Sequence, residues 1–325
     1  MNIPRQKKEF GNMYYLGFDV GGTKCAVSVG KVENNAIHIV ERKEVPTTKN
    51  PYETLGTLNG SVREYLKKYS IRRAGISCGG PLDSKEGVIL CPPNLPGWEN
   101  FAIVDYLKTK YGLSAKLEND ANACAVAEWK WGAGQGTKNM IFLTFGTGLG
   151  AGLILDGRLY AGANGNAGEV GHIRLSRSGP MGFGKKGSFE GFCSGGGITR
   201  LAIEMAQKEK QMPFCIKEMG GYESVTTKAL SRFAFDGDIF AKKVFHKSGK
   251  MLGKGLSFLI DILNPERIVL GGVFMRSGEL LIPSMKEELA RESLRSSLDV
   301  CEIVPAKLSE NVGDIATISV AMLGD

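Results

Sequence analysis

Residues 119–122 read Asn-Asp-Ala-Asn, and residues 144–150 read Thr-Phe-Gly-Thr-Gly-Leu-Gly. The carboxylate of Asp120 can accept a proton from a hydroxyl group while the neighbouring amides hold the molecule that carries it. The later glycine-rich stretch can form a turn whose backbone N–H groups surround a phosphate. A third stretch, residues 19–24, reads Asp-Val-Gly-Gly-Thr-Lys and follows an apolar strand pattern. Together the three stretches indicate the transfer of a phosphoryl group to an alcohol.

A β-hairpin is predicted around each glycine-rich stretch. Apolar and β-branched residues surround Gly21 and Gly22, which predicts two strands over residues 14–30. Residues 139–155 repeat this pattern around the second stretch, so the chain contains a weak internal repeat. Two similar halves of this kind predict two domains with a nucleotide between them.

The predicted position of Asp120 favours a catalytic role. Residues 115–118 predict a strand that ends at Asn119 and Asp120, and residues 121–131 predict a helix. Ligands collect at this end of the strands in open α/β sheets. Asp120 is also a suitable N-cap for the helix, and in isolation that explanation would be preferred. Its place between two amides and upstream of a glycine turn favours catalysis.

The two glycine-rich stretches combine groups that suit a nucleotide phosphate. Glycine lets backbone N–H groups approach phosphate oxygens, Thr23 adds a hydroxyl group, and Lys24 adds a positive charge. Asp19 can hold Mg²⁺ through its waters. A tight hairpin without a ligand is the alternative, since Gly-Gly is a common turn signal. The predicted nucleotide-binding residues are Asp19, Gly21, Gly22, Thr23, Lys24, Gly146, Thr147, Gly148 and Gly150.

Two other nucleotide-binding motifs are excluded. Residues 146–151 fit the G-x-G-x-x-A fingerprint of dinucleotide-binding domains, but that motif requires a helix next. Residues 152–157 predict a strand and a turn instead. The P-loop pattern G-x-x-x-x-G-K-[ST] is absent from the sequence. A phosphate-binding hairpin is therefore the better interpretation.

Glu169, His172 and Glu190 form a second polar group within a glycine-rich stretch. Carboxylates and an imidazole suit a polyol, whose hydroxyl groups both donate and accept hydrogen bonds. With only three histidines in the chain, an ordinary surface position for His172 is the alternative.

Composition limits the partners and the compartment. The net charge is +7, but no block of five like charges occurs, so a basic surface that tolerates anionic substrates is favoured over nucleic-acid binding. Seven cysteines without any C-x-x-C spacing indicate reduced thiols. The first residues are polar, and the apolar runs are shorter than the ~20 residues that span a bilayer. We therefore expect a cytoplasmic protein without a membrane partner.

The motifs described above, in this order, resemble those of the ROK-family sugar kinases of the glucokinase and N-acetylglucosamine kinase type. Residues 79–81 (Gly-Gly-Pro), residues 93–98 (Pro-Asn-Leu-Pro-Gly-Trp) and the pair Gly271-Gly272 add to the likeness, which covers essentially residues 14–325. The resemblance implies the actin-like ATPase (ribonuclease H-like) fold, with two α/β domains around a cleft. We place the smaller domain at residues 1–118 plus about 312–325. The larger domain, residues 119–311, would carry the sugar-binding loop and a dimer surface.

The resemblance also implies roles for individual residues. Asp120 would be the general base toward the 6-hydroxyl of a hexose, and ATP with Mg²⁺ would bind the two hairpins and Gly272. Glucose is the favoured sugar, with N-acetylglucosamine or mannose as alternatives, and the protein would be a homodimer or homotetramer. The sugar-binding residues implied are Gly80, Asn94, Asn119, Glu169, His172 and Glu190.

One departure from the family concerns zinc. Many relatives have a C-x-C-G-x-x-G-C-x-E segment whose thiolates bind zinc together with the histidine that matches His172. Here the three cysteine positions are Met181, Phe183 and Ser188. A single histidine cannot form a tetrahedral structural site, so we expect no zinc. The loop would then be ordered by packing, with Met181, Phe183 and Phe189 as apolar anchors.

Two alternatives belong to other functional classes. The family includes sugar-responsive transcriptional repressors, which carry a helix-turn-helix module before the kinase-like body. Because the first phosphate motif starts at residue 19, we expect no room for such a module. A non-catalytic sugar sensor would lack a catalytic or phosphate-binding residue, whereas Asp120 and both glycine stretches are present.

Overall fold

The computed structural model describes residues 13–34, 36–308 and 312–323. These residues form two compact units. The first unit contains the described residues up to Trp131 together with residues 312–323, and the second contains residues 132–308.

The first unit is built on one five-stranded sheet in the order β3-β2-β1-β4-β7. Strands β1, β2 and β3 are antiparallel neighbours, whereas β4 and β7 run parallel to β1. The two short strands β5 and β6 pair with each other, and Ile89 of β6 also bridges to Phe101. In chain order, the elements are β1 (Met13–Val20), β2 (Lys24–Glu33), β3 (Ala36–Pro46), α1 (Pro51–Lys68), β4 (Ile71–Cys78), β5 (Leu82–Asp83), β6 (Val88–Ile89), α2 (Ile103–Tyr111), β7 (Ala115–Asn119) and α3 (Asp120–Trp131).

The second unit has a sheet of the same design, in the order β10-β9-β8-β13-β14. Its hairpin strands are antiparallel, and β13 runs parallel to both β8 and β14. The elements are β8 (Met140–Phe145), β9 (Leu149–Leu155), β10 (Arg158–Leu159), β11 (Met181–Gly182), β12 (Lys185–Lys186), α4 (Phe189–Cys193), α5 (Gly195–Ala206), α6 (Phe214–Glu218), α7 (Thr227–Phe235), α8 (Ile239–Leu263), β13 (Arg267–Leu270), α9 (Val273–Glu292), α10 (Arg295–Leu298) and β14 (Glu302–Pro305). Short 3₁₀ turns occupy Val170–His172 and Tyr222–Ser224. The predicted internal repeat is thus confirmed at the level of strand order.

Helix α1 shows how the sequence specifies a helix that covers the first sheet. Proline stands at its first position, where a missing N–H costs nothing. Asn50 precedes it, and its Oδ1 accepts the Tyr52 N–H at 2.9 Å. Leu55, Leu58 and Val62 follow at helical spacing and are almost fully buried in the core.

The last helix, α11 (Val312–Ala321), belongs to the first unit. It lies so close to β4 that a Cβ at Gly75 would collide with the Thr317 backbone oxygen. The indole N–H of Trp131, at the end of α3, donates to the Ser319 hydroxyl at 3.1 Å. Because α3 packs on α11 in this way, the unit boundary follows Trp131, whereas the sequence-based boundary stood after residue 118.

Helices α8 and α9 form the largest helical layer of the second unit. The two helices approach each other closely at Gly249 and Gly253 of α8. A Cβ at Gly249 would collide with the Ser284 hydroxyl and the Leu281 backbone of α9, and a Cβ at Gly253 would collide with the Met285 backbone oxygen. Phe245 of α8 is fully buried in the same core. Within the part of the chain that the structure describes, none of the helices combines the length and apolar character needed to cross a bilayer.

Candidate active site

Asp120 lies where strand β7 passes directly into helix α3. Asn119 is the last strand residue, and its Oδ1 accepts the Ala121 N–H at 2.9 Å. Asp120 Oδ1 accepts the same N–H at 2.8 Å. Because Asp120 is the first helical residue, Asn119 is the cap, and the interpretation of Asp120 as the N-cap is corrected. The carboxyl group therefore stands at the carboxyl end of a parallel strand, as the sequence predicted.

The environment of Asp120 makes its carboxylate more basic than usual. Its side chain is accessible to solvent, but the surrounding protein limits its hydration. This partial desolvation raises the pKa of Asp120, and the hydrogen bond from the Ala121 N–H opposes the rise. A raised pKa strengthens a carboxylate as a proton acceptor.

Asn122 does not face an open site, in contrast to the sequence interpretation. Its side chain is 1% exposed, and its Nδ2 donates to Glu118 Oε1 at 2.9 Å. Glu118 is itself buried and also accepts the Asn119 backbone N–H at 2.9 Å. Asn122 therefore stabilises the junction of β7 and α3, and of the two amides only that of Asn119 is half-exposed.

Asp19, near the end of β1, lies close enough to Asp120 for the charge of Asp120 to affect its pKa. Burial, followed by the nearby charges of Asp314 and Asp120, raises the pKa of Asp19 from 3.8 to about 6. Arg42 opposes this effect, while its Nε donates to Asp314 Oδ2 at 2.9 Å. Excess negative charge of this kind is relieved by a cation.

The donor set around Asp19 fits magnesium bound with its waters. Among residues 13–34, 36–308 and 312–323, no three acidic, histidine or cysteine side chains cluster as ligands for a metal ion. Mg²⁺ characteristically keeps several waters and takes one or two carboxylates plus substrate phosphates. One half-buried carboxylate in an electronegative surrounding meets that requirement.

The first glycine turn joins β1 to β2. The Gly21 N–H donates to the Lys24 backbone oxygen at 3.1 Å, while Gly22 and Thr23 are exposed. Lys24 Nζ pairs with Glu44 Oε1 at 2.6 Å, and its side chain remains 65% exposed. The charge that the sequence assigned to phosphate binding is therefore partly balanced by a neighbouring carboxylate.

Two loops of the first unit meet this turn. Asn94 lies against Gly22, where a Cβ would collide with the Asn94 backbone oxygen, so a larger residue cannot stand at Gly22. Gly80 lies beside Asn119, since a Cβ there would stand 3.3 Å from Asn119 Nδ2. The structure thus brings the predicted residues Gly80, Asn94 and Asn119 together near the first glycine turn and Asp120.

In the second unit, Glu190 is tied to the second glycine turn. Its Oε2 accepts the Leu149 backbone N–H at 3.1 Å, and a Cβ at Gly148 would lie 2.9 Å from the same oxygen. Gly150 already belongs to β9, where its N–H donates to the Thr144 hydroxyl at 3.0 Å. Gly272 has a φ of 58° and abuts the Phe145 backbone oxygen, so it closes the base of this turn.

His172 is the last residue of the 3₁₀ turn next to Glu190, and Glu169 directly precedes that turn. Gly171 packs between Leu149 and Glu190, with a Cβ at that position 3.3 Å from the Glu190 Cβ. The Glu169 backbone oxygen accepts the His172 N–H at 3.2 Å. The His172 side chain is exposed, and its ring lies 6.4 Å from the Phe183 ring. The structure therefore brings the three polar residues of this stretch to one edge of the second unit.

The loop at the zinc positions of relatives is held differently from our expectation. Phe183 is 76% exposed and Met181 is 39% exposed, so neither anchors the loop; Phe189 is fully buried and does. Ser188 caps helix α4, because its Oγ accepts the Gly191 N–H at 3.1 Å. The hydroxyl group that stands in place of a thiolate thus has a structural role of its own.

A cavity of about 690 Å³ opens beside Gly146 and Thr147. The Gly195 N–H at the start of α5 donates to the Gly146 backbone oxygen at 2.7 Å, which joins the turn to this cavity. Sequence reasoning missed most of its lining, although the cluster Gly195–Gly197 was a signal. The missed polar residues include Thr199, Thr227, Lys228, Arg232, Arg276 and Ser277.

The sequence and the fold of this chain are similar to those of known proteins. A sequence model of a protein family, described as the ROK family, matches residues 15–321 of this chain. The glucokinase of Halalkalibacterium halodurans is 32% identical over 311 residues, which cover 93% of each chain. The structure of a ROK family glucokinase from Streptomyces griseus, in complex with glucose and AMPPNP, is 28% identical with a TM-score of 0.76 and covers 96% of this chain and 100% of that chain.

A regulator also shares the fold. A ROK family transcriptional regulator, a homolog of the E. coli MLC protein, is 23% identical with a TM-score of 0.83, over 95% of this chain and 78% of that chain. The α/β class and the actin-like ATPase fold predicted from the sequence are confirmed. Because the family model spans residues 15–321 and a relative is 32% identical over 93% of the chain, this protein belongs to the ROK family.

Proposed function

We propose that this protein is an ATP-dependent kinase that phosphorylates the 6-hydroxyl of a hexose, with glucose as the favoured substrate. The observation that carries the proposal is the solvent-accessible Asp120 carboxyl, with a raised pKa, at the carboxyl end of β7. Relatives named glucokinase, 28–32% identical over 93% or more of this chain, support it. One ROK glucokinase structure contains glucose and AMPPNP, which supports this pair of substrates.

In this proposal Asp120 accepts the proton of the sugar 6-hydroxyl. The hydroxyl oxygen forms a bond to the γ-phosphorus of ATP while the bond from that phosphorus to the β,γ-bridging oxygen breaks, and ADP leaves with the electron pair. The proton passes to the Asp120 carboxylate, whose raised pKa suits that transfer. Asn119, which lies next to it, orients the sugar with its half-exposed amide.

The remaining sugar hydroxyls are assigned to Asn94, Glu169, His172 and Glu190, and Gly80 is assigned to sugar binding as well. Carboxylates accept hydrogen bonds from hydroxyls, and amide or imidazole groups can both donate and accept. The fixed position of Glu190, set by the Leu149 N–H at 3.1 Å, supports an orienting role.

The nucleotide is assigned to the two glycine turns and the 690 Å³ cavity. Exposed Thr23 and the Thr147 hydroxyl are donors for phosphate oxygens. Asp19 would hold Mg²⁺ through its waters, and the metal would neutralise charge on the phosphates. Gly272 supports the second turn from below, because it packs against the Phe145 backbone oxygen.

A coupled ADP-release assay tests this proposal. The purified protein is given Mg·ATP with glucose, mannose, N-acetylglucosamine, N-acetylmannosamine, allose or fructose in separate reactions, and the site of phosphorylation is read by NMR. We expect sugar-dependent turnover, greatest with glucose, and a 6-phosphate product. Sugar binding without turnover on any of these sugars would contradict the proposal and favour a sensor or a regulator.

A further inference from the structure

A second cavity, of about 800 Å³, lies within the second unit. Its lining comes from the loop before β11, from α4, from α5 and the segment that follows it, and from the start of α8. It shares no lining residue with the 690 Å³ cavity. Neither glycine turn contributes to it. We call it the lysine cavity, after four lysines in its lining: Lys208, Lys242, Lys243 and Lys247.

The lysine cavity has a strong excess of positive charge. Among the residues that the structure describes, none of its four lysines forms an ion pair within 4.0 Å, and all four are exposed. Glu204 is the only carboxylate in the lining, and His246 adds a titratable base. Uncompensated charge of this density attracts anions.

The position of these lysines on α8 is also unfavourable for the helix itself. Lys242 and Lys243 follow within five residues of its first residue, Ile239, where the helix dipole disfavours cations. The first turn contains no acidic residue, and the Asp238 carboxylate is engaged as the cap by the Ala241 N–H at 2.7 Å. The Asp238 carboxylate keeps its charge and offsets part of this unfavourable interaction, and a bound anion would offset more of it.

The rest of the lining is suited to a ligand with a carbon skeleton and hydroxyl groups. Phe192 and Leu201 are buried and form an apolar floor, while Ser176 and Ser178 add hydroxyls and Glu204 adds an acceptor. A lysine ammonium binds phosphate as a point charge, and a carboxylate accepts hydroxyl groups. We propose that the lysine cavity binds a phosphorylated polyol, such as a sugar phosphate.

Histidine NMR gives a test that reports on this cavity alone. The chain contains three histidines, of which His246 lines the lysine cavity and His172 belongs to the candidate active site. The His246→Gln variant assigns the ring signals. At fixed pH, we expect glucose 6-phosphate to shift the His246 signals saturably and at lower concentration than inorganic phosphate does, and glucose to leave them unchanged. Unmoved His246 signals, or an equal response to glucose or phosphate, would overturn the proposal.

Paired variants then locate the binding. We expect Lys243→Ala/Lys247→Ala to raise the dissociation constant of glucose 6-phosphate, measured at His246, by about tenfold or more. The reason is the loss of two charge-assisted hydrogen bonds. The arginine pair Lys243→Arg/Lys247→Arg should stay close to the original protein. Lys217→Ala/Lys286→Ala removes the same charge from exposed positions outside the cavity and should have no effect. An equal loss in that control would show general charge attraction and would refute a specific site.

Other occupants would give different results. An oligonucleotide that shifts His246 and is not displaced by glucose 6-phosphate would replace our proposal with a nucleic-acid surface. Concentration-dependent His246 shifts without ligand would replace it with contact between two copies of the chain. The outcome is independent of the proposed kinase activity, since glucose 6-phosphate bound at the candidate active site would shift His172 and leave His246 unchanged.

Discussion

Glu190 Oε2 accepts the backbone N–H of Leu149 at 3.1 Å, which links a candidate sugar-binding carboxylate to the second glycine turn. The same oxygen faces Gly148, where a Cβ would stand only 2.9 Å away. The position of the carboxylate and the shape of the turn therefore depend on each other.

We expect Glu190→Ala to raise the KM of both the sugar and ATP by about tenfold or more, because it removes a charged hydrogen-bond acceptor from the turn. Steady-state kinetics in both substrates measures this change. Asn94→Ala, which leaves the second turn intact, should raise only the sugar KM. An unchanged ATP KM in Glu190→Ala would show that the Leu149 hydrogen bond does not support nucleotide binding.

Asp120→Asn should lower kcat by about 10²–10⁴-fold or more, because an amide cannot accept the hydroxyl proton. Nucleotide affinity should change little, and the unfolding midpoint at neutral pH should not fall, because a raised pKa means that the fold disfavours the ionised form of Asp120. Glu64→Gln, at an exposed position of α1, removes one carboxylate elsewhere and should keep full activity. Retention of more than about a tenth of the original kcat would exclude the base role on the same scale.

Thr147→Val should weaken ATP binding without changing sugar binding, because it removes a hydroxyl donor that lines the 690 Å³ cavity. Gly148→Ala should weaken both ligands, since its methyl group would displace the Glu190 carboxylate. Titration calorimetry with a non-hydrolysable ATP analogue and with glucose separates the two effects. Thr57→Val, on the exposed face of α1, is the control. Unchanged nucleotide affinity in both variants would contradict the assignment of the second turn.

The fold was largely predictable where local patterns are strong. Both hairpins around the glycine turns, and helix α3 over Asp120–Trp131, follow from the local residue pattern. Helix α9 was not predicted, because it starts directly after a glycine pair, lacks a side-chain cap and contains Pro283. Tertiary packing on α8 stabilises that helix, and a single sequence does not show such packing.

Other features of the candidate site could not be predicted, because they depend on where each side chain points in the folded protein. Asn119 and Asn122 look equivalent in the sequence, but one is half-exposed and the other is buried against Glu118. Phe183 and Phe189 look equally apolar, yet only Phe189 is buried. The cations of the 690 Å³ cavity come from α7 and α9, so their convergence requires the fold.

The raised pKa of Asp19 predicts a pH effect on stability in metal-free solution. Its pKa is about 6 in the folded protein against 3.8 ordinarily, so the fold favours the protonated form. This contribution is fully present below pH 3.8 and is lost as the pH rises through about 6. As the pH rises from 3.8 to about 6, the unfolding temperature of Asp19→Asn should therefore increase relative to that of the original protein. Calorimetry at several pH values measures this difference. Glu64→Gln should show no such trend, and a constant difference for Asp19→Asn would contradict the pKa assignment.

The purified protein should contain no stoichiometric zinc, and chelators that spare magnesium should leave its activity unchanged. The three cysteine positions of zinc-binding relatives hold Met181, Phe183 and Ser188, and none of these side chains is an effective zinc ligand. Ser188 instead caps α4, so Ser188→Ala should destabilise the fold by about 1 kcal/mol. Chemical denaturation measures that loss. Ser188→Thr keeps a hydroxyl group and should recover part of it. Elemental analysis after metal-free dialysis tests the absence of zinc. About one zinc per chain would show that other ligands complete a zinc site. The metal, and not the Ser188 cap and the buried Phe189, would then hold the loop.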